Sequence, residues 1–535
     1  MDVAGATLTV SHLPAPAQAS GIPLNSVLFD RSHIRQEVEE QPAFFPDLNL
    51  DQIVAGITAG REEYSLKPFF HSPLNDVDAV GYRHEVFHDL ANDAISAAVH
   101  SFGQEMKTMR SYLAQAGELH YERQKQSWFL DAVSLYCTAV RRLRSDLERT
   151  PPCSRGLRRV REYLSSYLAS PEFSLLDTET TSLSEELYRI RYFLHIDGKR
   201  ITVRKYDPRP DYSIDVLQTF RKFEAGEAKD YHFTFRSWQD MSHVEAAILD
   251  RVALLHQETF STLDRYCSEH REYLDTTIAL FDREVQFYLA CIDFTEPLKR
   301  AGLPFCYPVV TDTSKEVFGA EVYDLALAAR LIAEKTAVVT NDFHLQDPER
   351  IFVVSGPNQG GKTTFARTFG QLHYLARVGC PVPAARARLF LFDKLFTHFE
   401  REEMVQNLRG KLEDELLRIH DIFQRATPHS ILIMNESFLS TTVSDALSLS
   451  RKIMRRIIEL DMLCVSVTFL DEITSLSATT VSMVSTVDPG DPARRTYKLI
   501  RKPADGRAYA ITIAEKYGLT YGTIRERLAA PPLTV

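Results

Sequence analysis

The chain has 535 residues, 44% hydrophobic and 25% charged, with a net charge of −10; that length allows about two to four domains, and that charge excludes blanket affinity for nucleic acid, so any such contact must come from local basic patches. No apolar run approaches the roughly 20 residues of a membrane helix, and the N-terminus lacks a basic segment followed by an apolar one, so neither a membrane partner nor a signal peptide is expected. The seven cysteines form no C-x-x-C pair, which argues against zinc and disulfide frameworks and for reduced thiols in a cytoplasmic protein.

Residues 1–40 carry Pro14, Pro16 and Pro23 among small side chains and read as a loose arm. From Asp76 an apolar stripe begins. Val86, Leu90, Ile95, Val99, Phe102, Met106, Met109 and Leu113 recur at three- to five-residue steps, predicting one long helix. After Pro151-Pro152, residues 155–175 again predict a helix. Then the period changes. YRIRYFLHIDGKRITVRKY (188–206) alternates around Asp197-Gly198, predicting a hairpin with both of those residues in the turn at positive φ. YHFTFRSW (231–238) predicts a further strand.

Met241 to Asp293 contains neither Gly nor Pro, and apolar residues keep helical spacing from Ile248 to Tyr288. Read as one helix, these ~50 residues would extend roughly 75 Å, the dimension of a strut or lever. From about residue 300 the texture is α/β. RIFVVSG (350–356), ILIM (431–434) and MLCVSVTF (462–469) are short apolar strands alternating with helical stretches, so a largely parallel sheet covered on both faces is predicted.

GPNQGGKTT (356–364) satisfies G-x-x-x-x-G-K-[ST] between a predicted strand and a predicted helix, the context of a P-loop. Gly356, Pro357, Asn358, Gln359, Gly360 and Gly361, with Thr364 on the helix, would wrap backbone N–H groups around phosphates. Lys362 would reach the β- and γ-phosphates, and Thr363 would hold Mg²⁺. SILIMNESFLS (430–440) ends a neighbouring strand in Asn435 and Glu436. In such sites the first residue steadies Mg²⁺ and the second polarises the attacking water. Asn435 offers an oxygen without a charge, so weakened Mg²⁺ binding and slow ATP hydrolysis are expected, with ATP binding without turnover as the alternative.

These residues resemble the MutS family of DNA mismatch-repair ATPases, a branch of the ABC ATPase class. Four stretches carry the resemblance: 339–367, with Asn341 at the family's asparagine before the P-loop strand; VGCPVPAARARLFLFDKLFTHF (378–399); ESFLSTTVSDALSLS (436–450), with Thr441, Thr442 and Asp445 at small-polar and acidic positions; and KPADGRAYAITIAEKYGL (502–519), like the closing segment that helps subunits pair. PLNDVDAVGYRHEVFHDL (73–90) is similar to the start of the family's helical lever. The resemblance implies an α/β P-loop (ABC-type) ATPase domain at 301–525, preceded by a mainly α-helical lever over 41–300 with a β-rich, clamp-like insertion near 185–240, and a tail at 526–535. It also implies a homodimer that sandwiches each ATP between subunits, double-stranded or structured DNA as a partner, and a repair protein as a further one.

The departures are as informative. The family serine that reaches the partner's γ-phosphate aligns with Gly410, where a helix N-terminus could still offer N–H groups. The histidine after the last core strand aligns with Phe469, and the Mg²⁺ aspartate with Asn435. The family's G-R-G loop is replaced by Phe438, Leu439 and Ser440. These changes imply slowed or altered hydrolysis, and recognition of a mismatch through the family's Phe-x-Glu wedge is not expected.

Two surface features complete the reading. Eight arginines lie between 141 and 161, and the hairpin region carries Arg189, Arg191, Lys199, Arg200, Arg204, Lys205 and Arg209 among Tyr192, Phe193 and Tyr206. Alternation on a strand sets Arg200, Thr202 and Arg204 opposite Lys199, Ile201 and Val203, so one basic face could track a DNA backbone; a solvated face paired with acids is the competing reading. HEVFH (84–88) fits H-E-x-x-H, but Ala91 and Ala94 stand where the extended zinc motif needs glycine and a third histidine, so histidines on a helix surface are expected instead.

Overall fold

A computed structural model describes residues 26–30, 37–207, 241–400, 410–438, 440–488, 490, 494–504, 519–522 and 524–525. They divide between two compact units, one drawn from Leu90–Cys153 and Leu157–Asp282, the other from Ser20–Asp89, Ser154–Gly156 and Arg283–Val535. Mixed helices and sheets make up the whole, as the family resemblance implies at its coarsest.

In the first unit the helices Asp93–Glu118 and Glu122–Arg149 pair along their length. Val99, Phe102, Met106 and Met109 of the predicted stripe are buried on one, and Phe129, Val133, Tyr136 and Val140 on the other. The stripe does not form one helix from Asp76. The helix Val77–Leu90 stops, and Asn92 restarts the chain by accepting hydrogen bonds from the N–H groups of Ala94 and Ile95. Pro171, preceded by the capping hydroxyl of Ser170, likewise divides 155–175 between Arg155–Leu168 and Pro171–Arg189.

The predicted 50-residue strut is also broken, into His243–Leu255, Gln257–Glu269 and Thr276–Arg300. Neither break uses Gly or Pro. At the second, the Asp275 carboxylate accepts from Thr277 N at 3.0 Å and Ile278 N at 2.9 Å, starting a new helix. The hairpin forms as β1 (Tyr192–Asp197) and β2 (Arg200–Lys205). Its turn is Gly198-Lys199, not Asp197-Gly198: Asp197 pairs with Arg200, and only Gly198 takes a positive φ, +57°. A single glycine at the first turn position suffices to reverse the chain. The strand predicted at 231–238 and Arg209 lie outside the described residues.

The second unit holds two sheets. The smaller contains β3 (Val309–Thr311), β4 (Val317–Val322), β5 (Asn341–Leu345) and β7 (Arg386–Phe390) in the order β3-β7-β4-β5. The larger contains β6 (Ile351–Ser355), β8 (Leu395–Phe399), β9 (Ile431–Asn435), β10 (Leu463–Val467), β11 (Thr480–Val487) and β12 (Arg495–Arg501), ordered β12-β11-β6-β10-β9-β8. All its pairs are parallel except β11 with β12. The three strands predicted from apolar runs are its centre, β6, β10 and β9. Ile351 and Val353 share a core with Ile419, Ile453 and Ile457 of the helices Lys411–Arg425 and Val443–Glu459. Phe352, on the opposite pleat, packs on Phe365 and Phe369 of the helix Lys362–Val378, with centroids at 5.8 and 6.0 Å. Within the arm expected at 1–40, residues 1–25 and 31–36 lie outside the described residues, but Val27, Leu28 and Phe29 are buried, and Glu284 accepts from Ser26 Oγ and Val27 N.

Candidate functional site

Strand β6 delivers the chain to Gly356 at φ +116°, and Gly361 at φ +90° opens the helix Lys362–Val378. Both conformations require glycine. At Gly360 the constraint is space: a Cβ would meet Ser485 Oγ at 2.2 Å and Pro357 O at 2.9 Å. Ser485, on β11, donates to Gly360 O and so fastens the loop to the sheet.

Lys362 is buried at the start of that helix. Its Nζ donates to Gly356 O (3.0 Å), Pro357 O (3.2 Å) and Asn358 Oδ1 (3.4 Å), and lies 4.4 Å from the centroid of the Phe469 ring. Burial lowers its pKa; attraction to Glu436 works against that, and repulsion from Arg495 adds to it. A desolvated ammonium held only by neutral oxygens and an aromatic face is a charge suited to an anion. The first N–H groups of the same helix have no intrahelical acceptor and point the same way.

Beside it, Thr363 Oγ1 donates to Asn435 Oδ1 at 2.8 Å. Asn435 ends β9, and Glu436 follows in the left-handed region at φ +52°, its N–H bonded to Val467 O at 3.0 Å. Two residues on, Phe438 is buried at φ +65°, a strained conformation for an aromatic residue. Phe438 N donates to Glu415 Oε2 (3.1 Å), and its ring stacks on His398, whose Nδ1 lies 2.9 Å from Ser437 Oγ. Burial pushes the Glu415 carboxyl up, and the Phe438 N–H partly offsets this. The turn bearing Glu436 is thereby pinned to β8 and to the helix Lys411–Arg425.

Loop residues 359–364, Glu436 and Asn341 line one cavity of about 440 Å³. Pro357 and Asn358 do not line it; they hold Lys362 from behind. Asn341 has both ends of its amide engaged, Nδ2 to Tyr497 O and Oδ1 from Leu499 N, so it ties β5 to β12. The sequence reading missed the other wall: Asp324, Leu327 and Leu331 around the helix Leu325–Ala333, then Val338, Val339 and Tyr497. Asp324 before an apolar run is a legible helix cap, and it does accept from Leu327 N; nothing in the run says which face meets the loop. Tyr497 sits at φ +58° where the register between β11 and β12 shifts.

The four residues aligned with the family's subunit-facing signature do not line this cavity. Gly410 caps the helix Lys411–Arg425. Thr442 caps Val443–Glu459 through Asp445 N, and its hydroxyl donates to Asp445 Oδ2 at 2.8 Å. Thr441, half-exposed, immediately precedes that cap, and Leu439 lies outside the described residues.

In the first unit, register puts Phe193 opposite Arg204, His195 opposite Thr202 and Asp197 opposite Arg200, with Leu194, Ile196, Ile201 and Val203 on the other face. Lys205 pairs with Tyr192 on that apolar face, and Lys199 is in the turn. Phe193 stacks on Tyr206 at 5.0 Å. Arg189 pairs with Glu185, and Arg191 bonds Tyr188 O and lies over the Tyr188 ring. Four arginines of 141–161 are paired with acids as Arg189 is: Arg141 with Asp177, Arg142 with Glu105, Arg144 with Glu148 and Arg149 with Asp146. For these four the paired-surface reading holds.

HEVFH lies in the second unit, on the helix Val77–Leu90. Both histidine rings pack on Tyr307, at 5.3 and 4.5 Å, and Glu85 binds Arg155. His88 is exposed as expected, whereas His84 is only partly so, and burial pulls its pKa down to about 4. No cluster of three or more metal-ligating side chains occurs among the described residues.

The second unit is thus an α/β domain with a central, mostly parallel sheet and a glycine-rich loop opening a helix at its polar edge. Residues 352–527 match the family model of MutS domain V, which places this stretch of the chain in the MutS family. It is 23% identical over 67% of its length to the DNA mismatch repair protein MutS of Shouchella clausii, and 25% identical over 51% to that of Thermotoga maritima. It is 30% identical over 27% of its length to the DNA mismatch repair protein MutS 2 of Halobacterium salinarum. These alignments cover 44%, 33% and 17% of the respective relatives, so the chain spans less than half the length of each. No helix among the described residues is long and apolar enough to cross a membrane.

Proposed function

We propose that this chain binds ATP with Mg²⁺ in the cavity beside Lys362, hydrolyses it slowly as a homodimer, and couples its nucleotide state to contact with DNA in repair or recombination. The observation that carries the reading is the convergence of Lys362, Thr363 and Glu436 at one cavity wall, with Asn435, itself outside the lining, hydrogen-bonded to Thr363. A cavity of about 440 Å³ suits a nucleotide. Its apolar side, Leu327, Leu331, Val338 and Val339, suits a base. Thr363 Oγ1 and Asn435 Oδ1 are adjacent hard oxygen donors of the kind Mg²⁺ accepts; when bound, the ion supplies charge neutralisation at the phosphate oxygens.

In the proposed reaction water attacks the γ-phosphorus in line, ADP departs and inorganic phosphate forms. Glu436 orients the water and takes its proton. Lys362 exchanges the loop carbonyls for β- and γ-phosphate oxygens. Steady-state turnover of the wild type beside Asn435→Asp, with and without duplex DNA, tests this. Turnover that rises in the variant supports a slow native ATPase; ATP binding without turnover in either protein refutes hydrolysis.

A second reading is favoured by the neutral Asn435 and by Phe469 against Lys362: a non-enzymatic, ATP-dependent dimeric switch that holds a protein partner. The two differ in salt. Hairpin contacts to DNA phosphates give a steep fall of log affinity with log salt, and a protein scaffold gives almost none.

A further inference from the structure

The second unit holds another cavity, of about 670 Å³, between 42–44, the end of the P-loop helix, the segment 392–397 and the helix Lys411–Arg425. It shares no lining residue with the first. Arg377, in its wall, is fifteen residues along the helix from Lys362, which separates the two by roughly 22 Å.

Its chemistry is distinctive. Four cationic side chains line it, Arg377, Lys394, Arg418 and Arg425, against two carboxylates, Asp393 and Asp421. Asp414 neutralises Arg418. Both oxygens of Asp393 are taken by hydroxyls, Thr427 Oγ1 at 2.6 Å and Ser430 Oγ at 2.9 Å. Arg377 is buried, yet its partners are all neutral: Leu74 O, Asp393 O and Asn75 Oδ1. Lys394 donates to Arg425 O, and Arg425 to Asp421 O. Among the described residues none of these three has a carboxylate within ion-pair distance. Two of them lie on aromatic faces, Arg377 over Phe392 at 4.8 Å and Arg425 over Phe396 at 5.4 Å. Phe44 and Tyr374, also in the lining, meet edge to face at 5.4 Å.

From this we infer that the cavity is a second ligand site, for a planar aromatic anion the size of one nucleotide, its ring against Phe396 and Phe44 and its phosphate toward Lys394 and Arg425. The volume falls in the range of small-molecule sites. Aromatic rings interleaved with guanidinium groups are the means by which proteins hold a base beside its phosphate. The same chemistry is presented by a free nucleotide and by the 5′-phosphorylated end of a single strand. The inference stands apart from hydrolysis at Lys362.

The test uses the full chain and fluorescent N-methylanthraniloyl-AMP, in wild type, Lys362→Ala, Lys394→Ala and Arg425→Ala. Lys394 and Arg425 are exposed, so their variants keep the fold. Saturable binding that survives Lys362→Ala and weakens about tenfold or more in each of the other two is expected, the effect of one charge-assisted contact. Competition by a 5′-phosphorylated oligothymidylate and not by its unphosphorylated form assigns the site to a strand end; competition by AMP alone assigns it to the free nucleotide. Binding that disappears in Lys362→Ala and is unchanged in Arg425→Ala overturns the inference. So does an absence of saturable binding, including the case in which a glutamate-rich, phenylalanine-containing peptide binds instead.

Discussion

Thr363 Oγ1 and Asn435 Oδ1 are joined by a 2.8 Å hydrogen bond, linking the first turn of the helix Lys362–Val378 to the end of β9. An aspartate at 435 would accept the same bond and add a negative charge beside the hydroxyl. Asn435→Asp is therefore expected to lower the Mg²⁺ concentration for half-maximal ATP binding by about tenfold or more, since bonds to charged groups are about twice as strong as neutral ones. Magnesium titrations of nucleotide binding, wild type against variant, check this. An unchanged midpoint would mean that the pair does not contact the metal.

Glu436→Gln keeps the shape of the left-handed turn and removes the proposed base. Turnover is expected to fall by about 100-fold or more, with ATP affinity retained. Phosphate release and nucleotide binding, measured separately, give the two numbers. A variant as fast as the wild type removes Glu436 from the chemistry.

Phe438 contributes stability by burying its ring and gives some back through its φ of +65°. Phe438→Ala keeps the strain and loses the ring, so a loss of about 3 kcal/mol is expected in denaturant unfolding. A loss well below 1 kcal/mol, by the same calibration, would mean that the turn is not anchored through this side chain.

The hairpin face carrying Phe193, Arg200 and Arg204 predicts a DNA phenotype. Arg200→Ala and Arg204→Ala should each weaken duplex binding and reduce the log–log salt slope by about one. Lys205→Ala, on the other face, should do less. Equal effects from all three would dissolve the distinction between faces.

His373 is fully buried on the helix Lys362–Val378, and burial holds its pKa down at about 4, below the ordinary 6.5. The folded state keeps it neutral, so its contribution to stability is complete above the unfolded pKa and is lost as pH falls from 6.5 toward 4. The loss reaches about 3 kcal/mol at the acid end. The pH dependence of unfolding free energy should be shallower in His373→Gln over that interval, and parallel curves would contradict this.

The sequence by itself determined the local facts. G-x-x-x-x-G-K-T fixed a loop in which Gly356 and Gly361 take positive φ, because no other residue tolerates those conformations at low cost. Apolar runs determined β6, β9 and β10, since a strand buried on both faces leaves little choice of residue. The alternation around residue 198 determined a hairpin with Arg200 and Arg204 on one face. Tertiary structure decided the rest. The second of the two breaks in residues 241–293 falls where Asp275 accepts from its own Thr277 and Ile278 N–H groups and from the distant Tyr163 hydroxyl at 2.8 Å, a choice that apolar spacing does not encode. The cavity wall from Leu327 to Tyr497 comes from segments far apart in the chain, and only sheet order brings them to the glycine-rich loop. Lys362 reads the same in any P-loop; its burial against Phe469 and neutral carbonyls depends on what the fold packs around it, because the energy of a charge is set by its surroundings.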